Sequence, residues 1–445
     1  MKYLKRFWFI PVLLVLGLIW SQYPKLTMIS GYAAKNMAST VFLSGRSPAS
    51  VNQDDHQVPL ISMASSRYDS TISGAVSSVL GMQKRTARCR EGLGCYLVMG
   101  DYQVPSEEIK PRRQFAFDSL PYPLGDLKPR DTIFPEVDYA ALEAGMEQAF
   151  SEPEVQRTRT VLVLYKDHVL AERYVPGFGP DTRVLGWSMT KSVLATLFGI
   201  LDFQRRLDIT SPTGLEEWQG DGRSRITFEH LLRMQSGLAW EEDYTRISDV
   251  TEMLFLKPDM PAIQAAKPLE SEPGTAWNYS SGTSNLLSGL LRREFNTYQE
   301  YLDFPYSALI DRIGMHSMLI ETDAAGNFVG SSYGWASTRD WGRFGLLYLH
   351  RGNWKGEQIF HPDWVDWVSR PTAHSGDRYG AHFWLNAGGQ YPDVPRDLYM
   401  ANGYQGQHVF IIPSKNLVVV RTGLAESPDF DVNAFLSQIV AAIPG

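Results

Sequence analysis

The stretch that decides the fold is residues 185–201, Leu185-Gly-Trp-Ser-Met-Thr-Lys-Ser-Val-Leu-Ala-Thr-Leu-Phe-Gly-Ile-Leu201. Its second half repeats apolar residues at helical spacing, which predicts a largely buried helix. Ser188-Met-Thr-Lys191 lies where a β-rich region gives way to this helix, so the motif falls in the first helical turn. In that turn the backbone N–H groups point outward and favour a developing negative charge.

Ser188 and Lys191 are three positions apart, which places their side chains on one face of the helix. A lysine there can take the serine proton, provided that burial or a nearby cation keeps the amine uncharged. Taken alone the motif is weak, because Ser-x-x-Lys occurs by chance about once in a chain of this length. The alternative is a helix start with a serine cap.

Composition excludes some classes of function. The chain has 445 residues, 44% hydrophobic and 20% charged, as in an ordinary globular protein with a large core. Its net charge of −7 provides no basic surface for nucleic acid. The sequence has no His-Glu-x-x-His or Cys-x-x-Cys motif, so we expect neither a metal nor another cofactor.

The N-terminus resembles a targeting segment. Lys2, Lys5 and Arg6 precede the apolar run 7–20, and no further charge appears until residue 25. The run is shorter than the ~20 residues of a bilayer span, and no clear Ala-x-Ala cleavage site follows. We expect residues 1–25 to be an export signal or membrane anchor that places the protein on the periplasmic side of the inner membrane. The alternative is a buried N-terminal helix.

The two cysteines of the chain are Cys89 and Cys95, in Cys-Arg-Glu-Gly-Leu-Gly-Cys. The glycines allow a tight loop, so in an exported protein this pair is expected to form a disulfide. The alternatives are two free thiols or a weak metal site, and the second lacks a nearby histidine or second cysteine pair.

The order of the predicted elements indicates an α+β fold. Residues 26–135 show little pattern and are predicted to be an extended N-terminal extension with local strands at 96–99, followed by a domain over 136–445. Strands lie at both ends of this domain and a helical block lies over 225–330. This order predicts an antiparallel sheet built from distant segments, flanked by helices, with an inserted helical subdomain. The predicted strands are 160–165, 169–174, 408–412 and 417–422, and the predicted helices outside the block include 139–150, 335–350 and 432–442.

Two further segments have residues suited to catalysis. In Trp277-Asn-Tyr-Ser-Ser-Gly282, the Tyr279 phenol could shuttle a proton if it lies close to the Lys191 amine. In Asn402-Gly-Tyr-Gln-Gly-Gln407, two glycines allow a strand edge to approach a ligand closely. The alternatives are a surface turn over a packed aromatic and a strand-entry turn. His230 lies in an apolar helix and is expected to be a packed, hydrogen-bonded residue rather than a base.

Together these segments resemble the serine β-lactamase and penicillin-recognising fold, in its class C-like branch. That branch includes class C β-lactamases, D-alanyl-D-alanine carboxypeptidases, family VIII carboxylesterases and 6-aminohexanoate-dimer hydrolase. Its pattern is Ser-x-x-Lys, then Tyr-x-Asn or Tyr-x-Ser, then a Lys-Thr-Gly-like triad on a strand. The corresponding segments here are 188–191, 279–281 and 404–406, and residues 226–238 are also similar to a segment of the branch.

The resemblance implies a role for each of these residues. Ser188 would be the acylated nucleophile, and Lys191 and Tyr279 would exchange its proton, with Tyr279 later activating water. Ser281 would orient the substrate. The N–H groups of Ser188 and Gln407 would bind the oxyanion.

Two departures from the branch's pattern narrow the expected activity. Ser281 stands where β-lactamases have Asn, and Tyr404, in the triad with Gly406, stands where they have Lys. Without that lysine, the cationic contact to a β-lactam or peptide carboxylate is missing. The resemblance therefore favours an esterase or amidase with a small-molecule substrate. The alternatives are a D-alanyl-D-alanine carboxypeptidase, a weak β-lactamase and a non-catalytic penicillin-binding-like sensor.

Overall fold

The computed structural model describes residues 9–104 and 109–444, with side chains from residue 23 onward. In chain order, the helices are α1 (Phe9–Ser44), α2 (Pro48–Gln53), α3 (Tyr139–Gln148), α4 (Pro153–Gln156), α5 (Met189–Phe203), α6 (Phe228–Leu232), α7 (Asp249–Leu256), α8 (Met260–Ala265), α9 (Ser281–Arg293), α10 (Tyr298–Pro305), α11 (Thr338–Leu349), α12 (Asp363–Ser369) and α13 (Val432–Ala441). The strands are β1 (Ala64–Asp69), β2 (Gly74–Val79), β3 (Met82–Arg90), β4 (Gly94–Leu97), β5 (Thr158–Tyr165), β6 (His168–Tyr174), β7 (Arg183–Leu185), β8 (Leu319–Ile320), β9 (Gly334–Ser337), β10 (Asn353–Trp354), β11 (Glu357–Gln358), β12 (Trp384–Leu385), β13 (Tyr399–Gly403), β14 (Gln407–Ile412) and β15 (Leu417–Gly423).

The chain forms two compact units. The first comprises Met1–Pro105, Glu241–Met260 and Asp323–Gly326, and the second comprises Ser106–Trp240, Pro261–Thr322 and Asn327–Gly445. The second unit therefore begins before the predicted boundary at residue 136. Two arginines explain part of this difference, because Arg112 pairs with Asp303 and Arg113 pairs with Asp311, which ties residues 112–113 to the later chain.

The first unit is an antiparallel sheet covered by a helix, and here the prediction of an extended segment is wrong. Strands β1 to β4 pair in sequence order, and α1 packs against them. Cys89 and Cys95 are cross-strand partners in β3 and β4 and are joined by a disulfide. The predicted strand at 96–99 is displaced to Gly94–Leu97. The sheet could not be predicted because strands such as Ala64-Ser-Ser-Arg-Tyr-Asp69 are polar and lack alternating apolar residues, the pattern that indicates a half-buried strand.

The predicted N-terminal signal or anchor lies partly outside the described residues, which begin at residue 9. Among the residues whose side chains are described, no helix is long and apolar enough to cross a membrane.

The second unit confirms the predicted antiparallel sheet built from distant segments. Its six strands lie in the order β12-β13-β14-β15-β5-β6, so C-terminal strand β15 pairs with N-terminal strand β5. Helices α3 and α13 pack on one face through residues such as Met146 and Ile439. Helix α11 covers the other face. A side chain at Gly345 would come within 2.5 Å of Val418, so glycine permits this close approach.

The helical part of the second unit is inserted between β7 and β9, as predicted. A small sheet in the order β7-β9-β8 joins the two ends of the insertion. Helix α11 begins after β9, where the Ser337 hydroxyl accepts the Asp340 N–H, so the predicted helix start at 335 falls in a strand. This arrangement places the start of α5 beside the start of α9, because α5 contacts both α9 and β13.

Candidate active site

Ser188 lies at the turn between β7 and α5. The Gly186 N–H donates to the Gly334 carbonyl at 2.8 Å, and the Met189 N–H donates back to Gly186. Between them, Trp187 has a φ of +46°, a backbone conformation that costs energy for a bulky residue and persists when its surroundings hold it. The Ser188 N–H has no hydrogen-bond acceptor among the described residues, so it remains available at the helix N-terminus.

Lys191 is buried and connects three oxygens. Its side-chain amine Nζ donates to Ser188 Oγ at 3.0 Å, to Ser281 Oγ at 3.0 Å and to the Ser331 carbonyl at 2.8 Å. Only 1% of the lysine is exposed. The Ser188 hydroxyl and the Lys191 amine are therefore within proton-transfer distance, as their spacing on the helix predicted.

Tyr279 lies against the same amine. Its ring centroid is 5.0 Å from Lys191 Nζ, and the ring packs between Tyr379 and Trp384, with centroid separations of 5.8 and 5.4 Å. Tyr279 is half-buried and precedes Ser280, which caps α9 by accepting the Thr283 N–H. The cap fixes the start of α9 and thereby the position of Tyr279, which lies two residues before the helix.

Ser281 and Asn285 support the lysine from α9. Ser281 is fully buried and offers its hydroxyl to Lys191. One turn later, the Asn285 side-chain oxygen accepts the Ser331 N–H at 3.2 Å. Asn285 thus helps to hold Ser331, the residue whose carbonyl accepts from Lys191, a positioning role that the sequence did not identify.

In the third segment the structure differs from the prediction. A side-chain carbon at Gly403 would lie 3.2 Å from Ser188 N and 2.1 Å from Gly186 O, so the end of β13 lies against the serine turn. A carbon at Gly406 would instead meet Arg421 and the Ala425 carbonyl.

The turn between β13 and β14 explains the error. Gly403 and Gln407 are cross-strand partners, so Gly406 lies in the turn that joins the two strands. The Arg421 guanidinium donates to the Gly406 carbonyl at 2.8 Å, and the Gln407 side chain is bound to backbone groups, including the Gly423 carbonyl at 2.7 Å. Tyr404 does lie near the serine, because its exposed ring meets Trp187 edge-on at 5.6 Å.

His382 is a buried residue near the lysine that the sequence analysis missed. Its Nδ1 contacts the Leu232 carbonyl at 2.7 Å and its Nε2 contacts Ser284 Oγ at 2.9 Å. Burial lowers the pKa of His382 to about 3, a value that includes an opposing increase from the hydrogen bond to the Leu232 carbonyl and a smaller decrease from the nearby Lys191. The ring is therefore neutral near pH 7 and serves to fix α9. No local motif marks it.

His230 has the structural role that was expected. The His230 ring accepts the Thr227 backbone N–H at 3.2 Å, and the His230 backbone N–H donates to the Thr227 hydroxyl. These two bonds form a capping box at α6. Burial lowers the pKa of His230, which favours the neutral ring.

A cavity in the second unit lies apart from the serine and lysine. It has a volume of about 680 Å³ and is lined by residues that include Asp126, Arg339 and Arg343, but not by Ser188 or Lys191. Arg343 pairs with Asp126, and Arg339 pairs with Glu172, so these charges are already compensated within the protein. In the described part of the chain, no group of three His, Cys, Asp or Glu side chains is placed to hold a metal ion.

Comparison with known proteins agrees with this geometry. The Beta-lactamase family model matches residues 146–437, more than half of the chain, so the protein belongs to the Beta-lactamase family. It is a serine hydrolase of the superfamily that includes penicillin-binding proteins.

Individual relatives are distant in sequence. The 6-aminohexanoate-dimer hydrolase of Paenarthrobacter ureafaciens is 24% identical over 366 residues, 74% of this chain and 90% of that protein. A family VIII carboxylesterase structure has 15% identity and a TM-score of 0.57, covering 71% of this chain and 99% of its own. A putative 6-aminohexanoate-dimer hydrolase from Bacillus anthracis has 17% identity and a TM-score of 0.56, covering 65% and 80%. The two structural similarities support the fold.

Proposed function

We propose that the protein hydrolyses an amide or ester bond of a small molecule through an acyl-enzyme on Ser188. The observation that carries the proposal is the buried Lys191 amine, 3.0 Å from Ser188 Oγ, with the Tyr279 ring against it. A serine hydroxyl is a weak nucleophile unless a neighbouring base takes its proton.

In the acylation step, Ser188 Oγ attacks the substrate carbonyl carbon while its proton passes to Lys191, in its uncharged form, and Tyr279. The carbonyl oxygen becomes an oxyanion, which the Ser188 N–H stabilises together with a backbone N–H at the end of β13. We assign that second donor to Tyr404, because its neighbour Gly403 lies against Ser188. The Lys191–Tyr279 pair then protonates the leaving amine or alcohol.

In the deacylation step, water replaces the leaving group. Tyr279 takes a proton from that water, which attacks the acyl carbon, and the proton returns to Ser188 Oγ as the ester bond breaks. Ser281 helps to position Lys191 during this step, because the Ser281 hydroxyl accepts a hydrogen bond from the Lys191 amine.

The surroundings of Ser188 favour uncharged, partly apolar substrates. Trp187 and Tyr404 border the serine on one side, and Tyr279 and Trp384 border it on the other. Strand β13 contains neither Lys nor Arg, so it offers no cation to a substrate carboxylate. The relative named for cleaving a 6-aminohexanoate dimer supports an amide substrate, and the family VIII carboxylesterase supports an ester.

A panel of substrates tests the proposal. Purified protein is assayed with p-nitrophenyl esters, short linear amides, D-alanyl-D-alanine peptides and a chromogenic β-lactam. We expect turnover of esters or amides and its loss in Ser188→Ala. Ser437→Ala is the matched control, since it removes a serine hydroxyl from α13, where that hydroxyl donates to the Ala434 carbonyl. Full activity in Ser188→Ala would refute the assignment, and preference for the peptides or the β-lactam would favour the alternative substrates.

A further inference from the structure

An exposed apolar surface lies at one end of the first unit. It consists of Leu60, Met63, Leu80 and Met82, here called the apolar rim, and Leu80 is 78% exposed. Large apolar side chains that cluster on a surface mark sites of interaction with a protein or a membrane.

The strand register brings these residues together. Ala64 in β1 pairs with Val79 in β2, and Val79 pairs with Met82 in β3. Leu80 and Gly81 therefore form the tip of the β2–β3 hairpin, with φ values of +50° and +76°. Met63 precedes Ala64 and so lies beside this tip.

The apolar rim lies at the end of the unit from which α1 continues towards its N-terminus. Leu26 and Ile29 of α1 pack with Ile61 and Val79, which are next to the rim in sequence. From Leu26 the helix continues back to Phe9, so it includes residues 9–20 of the apolar stretch. The whole stretch, 7–20, has 14 residues, fewer than the ~20 that span a bilayer, so further apolar surface beside it would strengthen membrane attachment.

The charge around the rim differs from that of the whole chain. The protein has a net charge of −7, but the segment 60–84, which carries the rim, contains two basic residues and one acid. The acid, Asp69, pairs with Arg67. Lys84 is exposed on β3, two residues after Met82, at which the strand begins. Basic residues around an apolar surface are attracted to anionic lipid headgroups.

We propose that the apolar rim is a membrane-docking surface that inserts into the headgroup region of an anionic bilayer. Leu80 and Met82 enter the boundary between headgroups and acyl chains, and Lys84 contacts lipid phosphates. The apolar stretch 7–20 lies in the same membrane. A lipid surface fits better than a second copy of the chain because the rim combines apolar side chains with local positive charge and adjoins an apolar N-terminal stretch. The proposal is independent of the reaction at Ser188.

A fluorescent label can test insertion in the full-length protein. Both native cysteines are in the disulfide, so Leu80→Cys adds a single thiol for an environment-sensitive nitrobenzoxadiazole dye. Ile133→Cys in the second unit is the matched control, because Ile133 is an apolar residue that is 81% exposed. Each labelled protein is mixed with vesicles of phosphatidylcholine alone or of equal parts phosphatidylcholine and phosphatidylglycerol.

We expect the dye at position 80 to shift to the blue and brighten several-fold with the anionic vesicles, and less with phosphatidylcholine alone. The dye at position 133 should not change. Three results would overturn the proposal: no vesicle binding, vesicle-bound protein in which both dyes respond alike, or a shift at position 80 without lipid that grows with protein concentration. The last would identify a second copy as the partner.

Discussion

Two buried lysines in this protein each donate to a serine of the same helical segment, yet only one pair has the surroundings of a nucleophile. Lys35 in α1 donates to Ser39 Oγ at 2.8 Å, and Lys191 in α5 donates to Ser188 Oγ at 3.0 Å. Lys35 is 6% exposed and Lys191 is 1% exposed, so burial does not distinguish them.

The difference lies in where each serine sits. Ser39 is in the interior of α1 and 1% exposed, and its backbone N–H belongs to the helix ladder. Ser188 is partly exposed at a helix start, where its N–H is available and a tyrosine lies against the lysine. A serine–lysine pair therefore becomes a candidate nucleophile through its helix position and its third partner, not through hydrogen bonding alone.

Replacing the two lysines should affect different properties of the protein. Lys191→Ala removes the base and should lower kcat/KM by about 10³-fold or more, since a positioned general base contributes ~10²–10⁴-fold and here also holds Ser281. Lys35→Ala should leave activity per folded molecule unchanged but lower the melting temperature, because Ser39 loses its buried donor. Steady-state kinetics and thermal unfolding of both variants check this. Equal losses of activity would contradict the distinction.

Tyr279→Phe should separate the two halves of the reaction. Removing the phenolic hydroxyl should slow deacylation by ~10²–10⁴-fold, because the attacking water loses its base. The ring contacts with Tyr379 and Trp384 remain, so the fold should be unaffected. Stopped-flow assays with a p-nitrophenyl ester should show a burst followed by a slow steady state. Tyr298→Phe on α10 is the control, and a variant with normal turnover would remove Tyr279 from the mechanism.

The two glycines of the third segment should also differ. Gly403→Ala places a methyl group against Ser188 N and Gly186 O, which should disturb the oxyanion site and lower kcat by about 10²–10³-fold. Gly406→Ala meets Arg421 and adopts a φ of +74°, so it should chiefly lower thermal stability. Comparison of kcat with melting temperature distinguishes them. A larger kcat loss at Gly406 would restore the original sequence interpretation.

Acid should destabilise the fold through His382. Its pKa is about 3 in the folded protein, below the ordinary 6.5, so the unfolded chain binds more protons between these values. The free energy of unfolding should therefore fall as the pH decreases from about 6.5 to about 3. His382→Gln should flatten this dependence in urea titrations, whereas replacing the exposed His361 should leave it unchanged. An unaltered slope in His382→Gln would contradict the buried neutral ring.

The contrast between local and distant contacts also explains what could be predicted. The Ser188–Lys191 contact depends on a three-residue spacing within one helix, and the pairing of the terminal strands depends on strong β patterns. The approach of Gly403 to Ser188 depends on the register of β13 against β14. The contact therefore falls at Gly403, three residues before the predicted Gly406. The aromatic surroundings come from segments nearly 220 residues apart, from Trp187 to Tyr404, and no local pattern connects them.

The central claim is that Ser188 carries the acyl group, and a trapped intermediate tests it most directly. The Tyr279→Phe protein is mixed with p-nitrophenyl acetate, quenched in acid and digested with trypsin, which should release the peptide Val184–Lys191. The account predicts one acetyl group on this peptide, located at Ser188 by fragmentation and absent from a Ser188→Ala, Tyr279→Phe double variant. Acetylation of another residue, or ester turnover without any adduct on this peptide, would contradict it.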